Sequence, residues 1–365
     1  MANPEETTNP LKKGFRGISF LNKIKVRDVV VMTRQFSVMI DAGLPITRSL
    51  DVLIKQTENK KLAIVLEEVS AKVQAGSSLS SAFKQYPEVF SQFYVSLIAS
   101  GETGGNLADS LRQLADQVEK NHELTSSIRS ALVYPAFIVS VIVVVGIVLL
   151  IYVVPQLQSV FEESGVQLPL FTRMLIGVSN FLVSFWWIII IVIAAIWYGF
   201  YRWLKTVNGR VTWDGFKLRI PIIGKILRKI YVARFTRTLG SLVEGQLPII
   251  ESITVASDVV NNEIYKSILM QTAERVKAGD TIIAALSEHS EIQPLVTQLI
   301  GVGEETGQLG FVLTKVADFF KEEVDRAVKN LTNLLEPAII VLLAVAVAGV
   351  VLSIIQPIYN LTSAI

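Results

Sequence analysis

Three long runs of uncharged residues constrain this chain more than any other feature of its sequence. They cover residues 136–154, 175–201 and 338–356, and none of them contains Asp, Glu, Lys or Arg. About 20 apolar residues in a helix cross the hydrocarbon core of a bilayer. A buried core helix could imitate one such run. Three runs, each closely bracketed by polar sequence, predict three transmembrane helices.

The rest of the chain is too polar to lie in lipid. The 365 residues are 51% hydrophobic and 18% charged, below the roughly 25% charged residues of soluble chains, yet they include 34 Lys and Arg and 32 Asp and Glu. Polar domains must therefore alternate with the apolar helices. The chain has no cysteine, which excludes a disulfide scaffold, a cysteine-ligated metal and thiol catalysis.

The distribution of charge predicts the orientation in the membrane. Residues 155–174 between the first two runs carry only Glu162, Glu163 and Arg173, whereas residues 202–237 carry ten Lys and Arg against one acid. The positive-inside rule then predicts residues 1–135 and 202–337 in the cytoplasm. The loop 155–174 and the tail 357–365 are expected on the outer side of the membrane. The first residues lack the apolar stretch of a signal peptide, so we expect the chain to begin on the cytoplasmic side.

The two polar parts of the chain are copies of each other. Thr33-Arg34 and Leu44-Pro45-Ile46 recur 203 residues later, and Gly101-Glu102 with Gly105 recurs 202 residues later. Pro135 at the mouth of the first run recurs as Pro337 before the third. Each repeat is therefore a domain of about 100 residues that feeds one transmembrane helix. The motif residues shared by the repeats, or placed in their turns, are Gly43, Pro45, Gly101, Gly105, Pro135, Pro248, Gly303, Gly307 and Pro337.

Apolar residues at three- and four-residue steps predict an all-α fold with about six helices in each repeat. The predicted order is a tail (1–25), a first helical domain (26–135), two transmembrane helices around the loop, a basic linker (202–235), a second helical domain (236–337) and the last transmembrane helix. Predicted core residues are Phe36, Met39, Ile40 and Leu44 in the first domain and Leu239, Leu242, Val243 and Leu247 in the second.

Motifs that would carry catalysis are missing from the sequence. It contains no phosphate-binding loop and no nucleophile elbow, and its only histidines, His122 and His289, have no partner at ligand spacing. The pair Glu162-Glu163 is most simply solvated charge. We therefore expect no enzyme activity, no cofactor and no metal. The absence of charge inside the three runs also argues against an ion or solute path, although a small-solute permease is kept as the alternative from another class.

Two groups of charged residues are candidate partner contacts. Glu102 and Glu304 lie in glycine-rich turns, where an acid is expected to cap the next helix; charged contacts with a partner or between the two heads are the less favoured interpretation. Lys225, Arg228 and Lys229 share one helical face by their spacing. They would face either a partner protein or anionic lipid, and the positive-inside rule favours the second interpretation.

The order of the motifs resembles a known family. RQFSVMIDAGLPI, AGSSLSSAF and GETGGNL, repeated as RTLGSLVEGQLPI and GEETGQL, resemble the PilC/GspF family over residues 26–362. Its members are platform proteins in the bacterial inner membrane that serve type IV pili and type II secretion. Residues 1–25 depart from the family, because the longer leading domain common in it is expected to be missing.

The resemblance implies a set of partners and a function without chemistry. A cytoplasmic assembly ATPase would move the platform, which would pass pilin or pseudopilin subunits into a fibre beside other inner-membrane assembly proteins. Pilus assembly is preferred to type II secretion, and no nucleic acid is expected to bind. Three membrane helices offer little surface for a fibre, so we also expect a homo-oligomer, most simply a cyclic dimer.

Overall fold

The computed structural model describes residues 23–155 and 170–363, and these residues form helices without a single strand. The all-α prediction is therefore confirmed for the described part of the chain. The helices, in order, are α1 (Val26–Asp41), α2 (Ile46–Gln56), α3 (Lys60–Gln74), α4 (Leu79–Phe83), α5 (Gln92–Gly104), α6 (Leu107–Val148), α7 (Leu170–Leu204), α8 (Val207–Arg219), α9 (Ile223–Glu244), α10 (Ile249–Val259), α11 (Glu263–Lys277), α12 (Ile282–Ser287), α13 (Pro294–Glu305) and α14 (Leu309–Ser363).

The two repeats form two helical heads. Head one comprises residues 26–125, with α1 to α5 and the beginning of α6; head two comprises residues 227–322, with most of α9, α10 to α13 and the beginning of α14. Polar caps start the short helices: the Asn59 side chain accepts from two backbone N–H groups of α3, and Asn262 does the same for α11. Each head therefore uses six helices, as the periodicity predicts.

The predicted core residues are buried to different extents. Phe36, Leu239, Leu242 and Leu247 are buried, as predicted. Met39, Ile40, Leu44 and Val243 are only half-buried, which corrects their assignment to the core. Met39 and Ile40 still pack against the core from its edge, whereas Leu44 is not part of that cluster.

The two heads share one core. Head one encloses Phe36, Leu66 and Leu97, and the same cluster includes Leu242, Leu247 and Val255 of head two. Residues 23–125 and Leu227–Glu322 accordingly form a single compact unit, here called the head unit. The repeat pattern predicts two domains but contains no signal for this shared packing.

The segment predicted as a basic linker is helical. Residues 202–235 include all of α8 and the first half of α9, so the first helix of head two begins well before residue 236. Ile230, Val232, Ala233 and Phe235 are buried between the cations of α9. Tyr231, in the same stretch, packs on Tyr265 of head two with the ring centroids 5.2 Å apart, which holds the helix against its own head. The high charge of the segment conceals these apolar positions in the sequence.

The remaining described residues form a second unit, which contains the three apolar runs. Helical segments long and apolar enough to cross a membrane lie within Leu107–Tyr152, Ile176–Leu204 and Leu309–Val345, with mean hydropathies of 2.8, 2.4 and 1.5 in their most apolar windows. Each predicted transmembrane run thus falls in a long helix. The Glu162-Glu163 pair, most of the loop and the first 22 residues lie outside the described residues.

The first two apolar helices contact each other at an irregular turn. Leu149–Val153 is a π-helical continuation of α6, and the Ser179 hydroxyl of α7 donates to the Leu150 carbonyl. Such a turn releases a backbone carbonyl from its regular partner, and Ser179 satisfies it. Both α6 and α14 continue unbroken through their prolines, with Pro135 buried and Pro337 exposed.

The turn after the first helix of each head requires a left-handed backbone conformation, which is less favourable in free energy in head two than in head one. Gly43 adopts a φ of 81°, and its counterpart Gln246 adopts a φ of 63°. A residue with a Cβ atom pays roughly 1–2 kcal/mol in this left-handed region. We expect Gln246→Gly to raise the free energy of unfolding by about 0.5–1 kcal/mol, after the greater chain entropy of glycine is subtracted.

Pulse proteolysis of the full chain in detergent at increasing urea measures this change. Gly43→Gln is the matched control and should lower stability by a similar amount, since a Cβ at Gly43 would meet no atom within 4 Å. A destabilised Gln246→Gly variant would contradict the prediction.

Candidate functional site

The Glu102 carboxylate holds the start of the shortest helix in head one. It accepts hydrogen bonds from the backbone N–H groups of Leu79 at 2.5 Å and Ser80 at 3.0 Å, and from the Ser80 hydroxyl. The Ser78 hydroxyl accepts a further one from the Ser81 N–H at 3.2 Å. All of these groups are at the N-terminus of α4, where free N–H groups and the helix dipole favour a negative charge.

Glu304 has the same position in head two. Its carboxylate accepts from the N–H groups of Ile282 at 2.9 Å and Ile283 at 3.3 Å, at the start of α12, and Thr281 supplies the local cap. The sequence predicts an acid that caps the following helix; both acids instead cap a helix that precedes them by about 22 residues. Their role as partner contacts stays a prediction, because the carboxylates are already engaged within each head.

The glycine before each of these acids allows two helices to approach closely. A Cβ atom on Gly101 would lie 2.5 Å from the Ser110 Oγ, and one on Gly303 would lie 3.1 Å from the Val312 Cβ. Gly105 and Gly307, with φ values of 71° and 69°, then turn the chain into α6 and α14. The glycine-glutamate motif therefore fixes the packing of three helices in each head.

Removal of the carboxylate should destabilise head one. We expect Glu102→Ala to lower the free energy of unfolding by about 1–2 kcal/mol, the usual scale for loss of a helix cap. Glu102→Gln, which retains an acceptor oxygen, should cost less. Urea titration with pulse proteolysis checks both variants, and an unchanged midpoint for Glu102→Ala would contradict the structural role.

A repeated ion pair joins the first and last helices of each head. The Arg34 guanidinium lies 2.6 Å from Asp116 and also contacts Glu119, and these hydrogen bonds, Glu119 first, raise the pKa of Arg34. Arg237 lies 2.6 Å from Asp318 in head two. The sequence shows that a basic and an acidic residue recur, but their pairing across about 80 residues requires the tertiary structure.

Polar contacts line the boundary between the heads. The Gln113 side chain of α6 donates to the Ser241 carbonyl of α9 at 2.8 Å, and the Ser241 hydroxyl donates to Gln117 at 3.2 Å. The Ser100 hydroxyl donates to the Gly245 carbonyl at 2.6 Å. Apart from their positions in the repeats, nothing in the sequence predicts that these residues contact each other.

A cleft of about 410 Å³ opens beside this boundary. Head one contributes Ser96, Ser100 and Thr103, and head two contributes Gln246 and Glu251. Its lining offers three hydroxyls, the two amides of Asn106 and Gln246, and one acid. These groups can form hydrogen bonds with another molecule.

The three candidate cations of α9 are unequally exposed. Lys225 is exposed, whereas Arg228 and Lys229 are half-buried. The Arg228 Nε atom is buried with no hydrogen-bond partner among the residues that the structure describes. Arg234, which the sequence pattern does not single out, is also half-buried, and the desolvation of its guanidinium lowers its pKa. Within the described ranges, no cluster of three His, Asp or Glu residues could hold a metal ion.

Comparison with known proteins identifies what the chain is similar to. The profile of the family described as type II secretion system (T2SS), protein F, matches residues 32–155 and again residues 235–357, which confirms the duplication. The type IV pilus assembly protein PilC of Myxococcus xanthus is 36% identical over 94% of this chain and 82% of its own length. The protein of the same name from Pseudomonas aeruginosa is 35% identical over 97% of this chain and 96% of its own length.

A secretion protein is similar to nearly the same extent. The type II secretion system protein F of Pseudomonas aeruginosa is 32% identical over 98% of this chain and 88% of its own length. Together with the three long apolar helices, these relatives indicate a multi-pass membrane protein.

Proposed function

This chain belongs to the type II secretion system protein F family, which includes PilC, and we propose that it is the inner-membrane platform for type IV pilus assembly. The observation that supports this most strongly is the similarity to pilus assembly proteins over nearly the entire chain. Identity is 36% and 35% to the two PilC proteins and 32% to 34% to type II secretion system F proteins, a small difference that favours the pilus. A type II secretion platform is the second candidate.

The positive-inside rule supports a cytoplasmic position for both heads. In that position they would meet a cytoplasmic assembly ATPase, while the apolar helices would contact pilin subunits within the bilayer. The chain would transmit force between them and would itself catalyse no reaction. A homo-oligomer would provide the membrane surface that one chain with three spans lacks.

The packing of the heads supports this transmission of force. Leu242, Leu247 and Val255 extend the core of head one into head two, and Gln113 and Gln117 bind the backbone and hydroxyl of Ser241. Interiors packed in this way have low compressibility. A push on either head would therefore move the head unit as one body.

Gene deletion tests the proposed function. Loss of surface fibres, restored by the gene on a plasmid, is the expected result; retained fibres with secreted proteins trapped in the periplasm would indicate the secretion system. Intact fibres with lost uptake of a solute would contradict the platform role and support a permease.

Charge reversal tests whether the basic face of α9 contacts the ATPase. Lys225, Arg228 and Lys229 are changed to Glu together, and Lys55, Lys60 and Lys84, three exposed cations of head one, serve as the matched control. If α9 contacts the ATPase, only the first variant should lose co-purification with it at normal abundance. Normal binding by both variants would assign this face to the membrane surface.

A further inference from the structure

The contact between the two heads of one chain uses different surfaces on each head. Head one contributes surface A, from α5 and α6, and head two contributes surface B, from α9 and the turn after it. The Ser100 hydroxyl bonds the Gly245 carbonyl, Gln117 bonds Ser241, and a Cβ atom on Gly245 would lie 2.6 Å from the Leu97 side chain. Surface A comprises Leu97, Ser100, Gln113 and Gln117; surface B comprises Thr238, Ser241, Gly245 and Leu247.

The duplication places a second copy of each surface on the other head. Adding 202 to surface A leads to Leu299, Val302, Lys315 and Phe319 on head two, and subtracting 203 from surface B leads to Gln35, Val38, Ala42 and Leu44 on head one. If a two-fold axis related the heads, Phe319 would be covered by Val38 within the same chain. Instead, Phe319 is 43% exposed and Val38 is 60% exposed. Each chain therefore has one unoccupied surface A and one unoccupied surface B.

The unoccupied copies are more apolar than the occupied ones at three positions, although Lys315 replaces Gln113 and Gln35 replaces Thr238. Ser100 is replaced by Val302 and Gln117 by Phe319, while Ser241 is replaced by Val38. Phe311, one turn from Lys315, and Val31 of α1 enlarge these two patches and are themselves 55% and 46% exposed. Apolar side chains grouped on an exposed face indicate an interaction site.

We infer that surface A of head two binds surface B of head one in a second copy of this chain. A contact between two different surfaces closes into a ring when the rotation permits, and two such contacts would join four heads in a dimer. The occupant is a second copy because the equivalent positions of the two heads already bind each other within one chain. The expectation that the chain self-associates rests on the proposed function; the identity of the two surfaces rests on the contact between the heads.

Charged residues at the edge of this contact predict how salt and a change of charge affect dimerisation. Within one chain, Lys120 lies 3.9 Å from Asp318. The corresponding pair between chains is Glu322 (120 + 202) and Asp116 (318 − 202), which are two acids. Because Arg34 already binds Asp116, the two acids do not simply repel each other; the contact between chains instead lacks the attraction that Lys120 and Asp318 provide within one chain. We expect Glu322→Lys to supply that attraction and to tighten dimerisation several-fold at low salt, and added salt to weaken this gain.

Cysteine cross-linking tests the arrangement in the full-length chain, which has no native cysteine. Val38→Cys and Phe319→Cys are placed in copies with different tags and are oxidised in membranes. We expect a disulfide-linked dimer only when both variants are present, because the contact joins different surfaces. Gln117→Cys with Ser241→Cys in one chain is the positive control, and Phe319→Cys paired with Met270→Cys on α11 is the negative control.

Two outcomes would overturn the inference. One is a dimer formed by either single variant alone; the other is no product from the mixture while the positive control forms its disulfide. In the second case, continued co-purification of the two tags would leave self-association standing and reject only these surfaces. Fibre assembly by the deletion strain tests the platform role separately.

Residues taken from head one test the apolar contribution without disturbing the fold. Val302→Ser and Phe319→Gln introduce the residues that already occupy the equivalent positions of head one. Together they should raise the dissociation constant of the detergent-solubilised dimer at least tenfold and leave the urea midpoint of the monomer unchanged. An unchanged dissociation constant would contradict the proposed contact.

Discussion

Leu247→Ala is expected to lower the free energy of unfolding by about 2–5 kcal/mol, and Leu44→Ala at the equivalent position by about 1 kcal/mol or less. Leu247 is 7% exposed and belongs to the core that extends from head one into head two. Leu44 is half-buried, because surface B of head one has no partner within the chain. Loss of the Leu247 side chain leaves a cavity that its neighbours fill only partly.

Pulse proteolysis of the full chain in detergent measures both variants, at protein concentrations below those that allow dimerisation. The two substitutions remove the same atoms at the same repeat position, so they control for each other. Equal costs would show that the packing between the heads contributes nothing. At higher concentration the cost of Leu44→Ala should increase, since the proposed dimer would bury this side chain.

Arg237→Ala is expected to lower the free energy of unfolding by about 2–3 kcal/mol, and Arg34→Ala by less than about 1 kcal/mol. Both arginines bind the repeated aspartate of their head at 2.6 Å, but the Arg237 side chain is 7% exposed and that of Arg34 is 39% exposed. Burial reduces the screening of the Arg237 charge by solvent. The substitution also removes the packing of the aliphatic part of this buried side chain. In head one the ion pair is more exposed, so water replaces the lost hydrogen bonds when Arg34 is substituted.

A double-mutant cycle separates the ion pair from the packing. The coupling energy of Arg237 with Asp318 should exceed that of Arg34 with Asp116, measured by urea titration of the four variants of each pair. Similar coupling in both heads would contradict a dependence on burial, and a larger value in head one would reverse the expected order.

The transmembrane helices, the duplication and the all-α heads follow from the sequence alone. Each depends on a pattern that is visible along the chain: the length of an apolar run, the three- and four-residue spacing of residues such as Phe36, or a motif that recurs 202 or 203 residues later. The family follows from the order of these motifs. Membrane-spanning segments and amphipathic helices both require characteristic patterns of apolar residues, so a single sequence is enough to recognise these elements.

The partners of the motif residues could be found only from the tertiary structure. Glu102 caps α4 rather than the adjacent helix, Arg34 reaches Asp116, and Leu247 enters a core that belongs mainly to head one. In each case the sequence identifies a residue that matters but not what it touches. A helical pattern specifies which face is buried and leaves open which neighbour buries it, because any complementary apolar face reduces the exposed area equally. The choice of neighbour arises from shape and from hydrogen bonds between residues far apart in the chain.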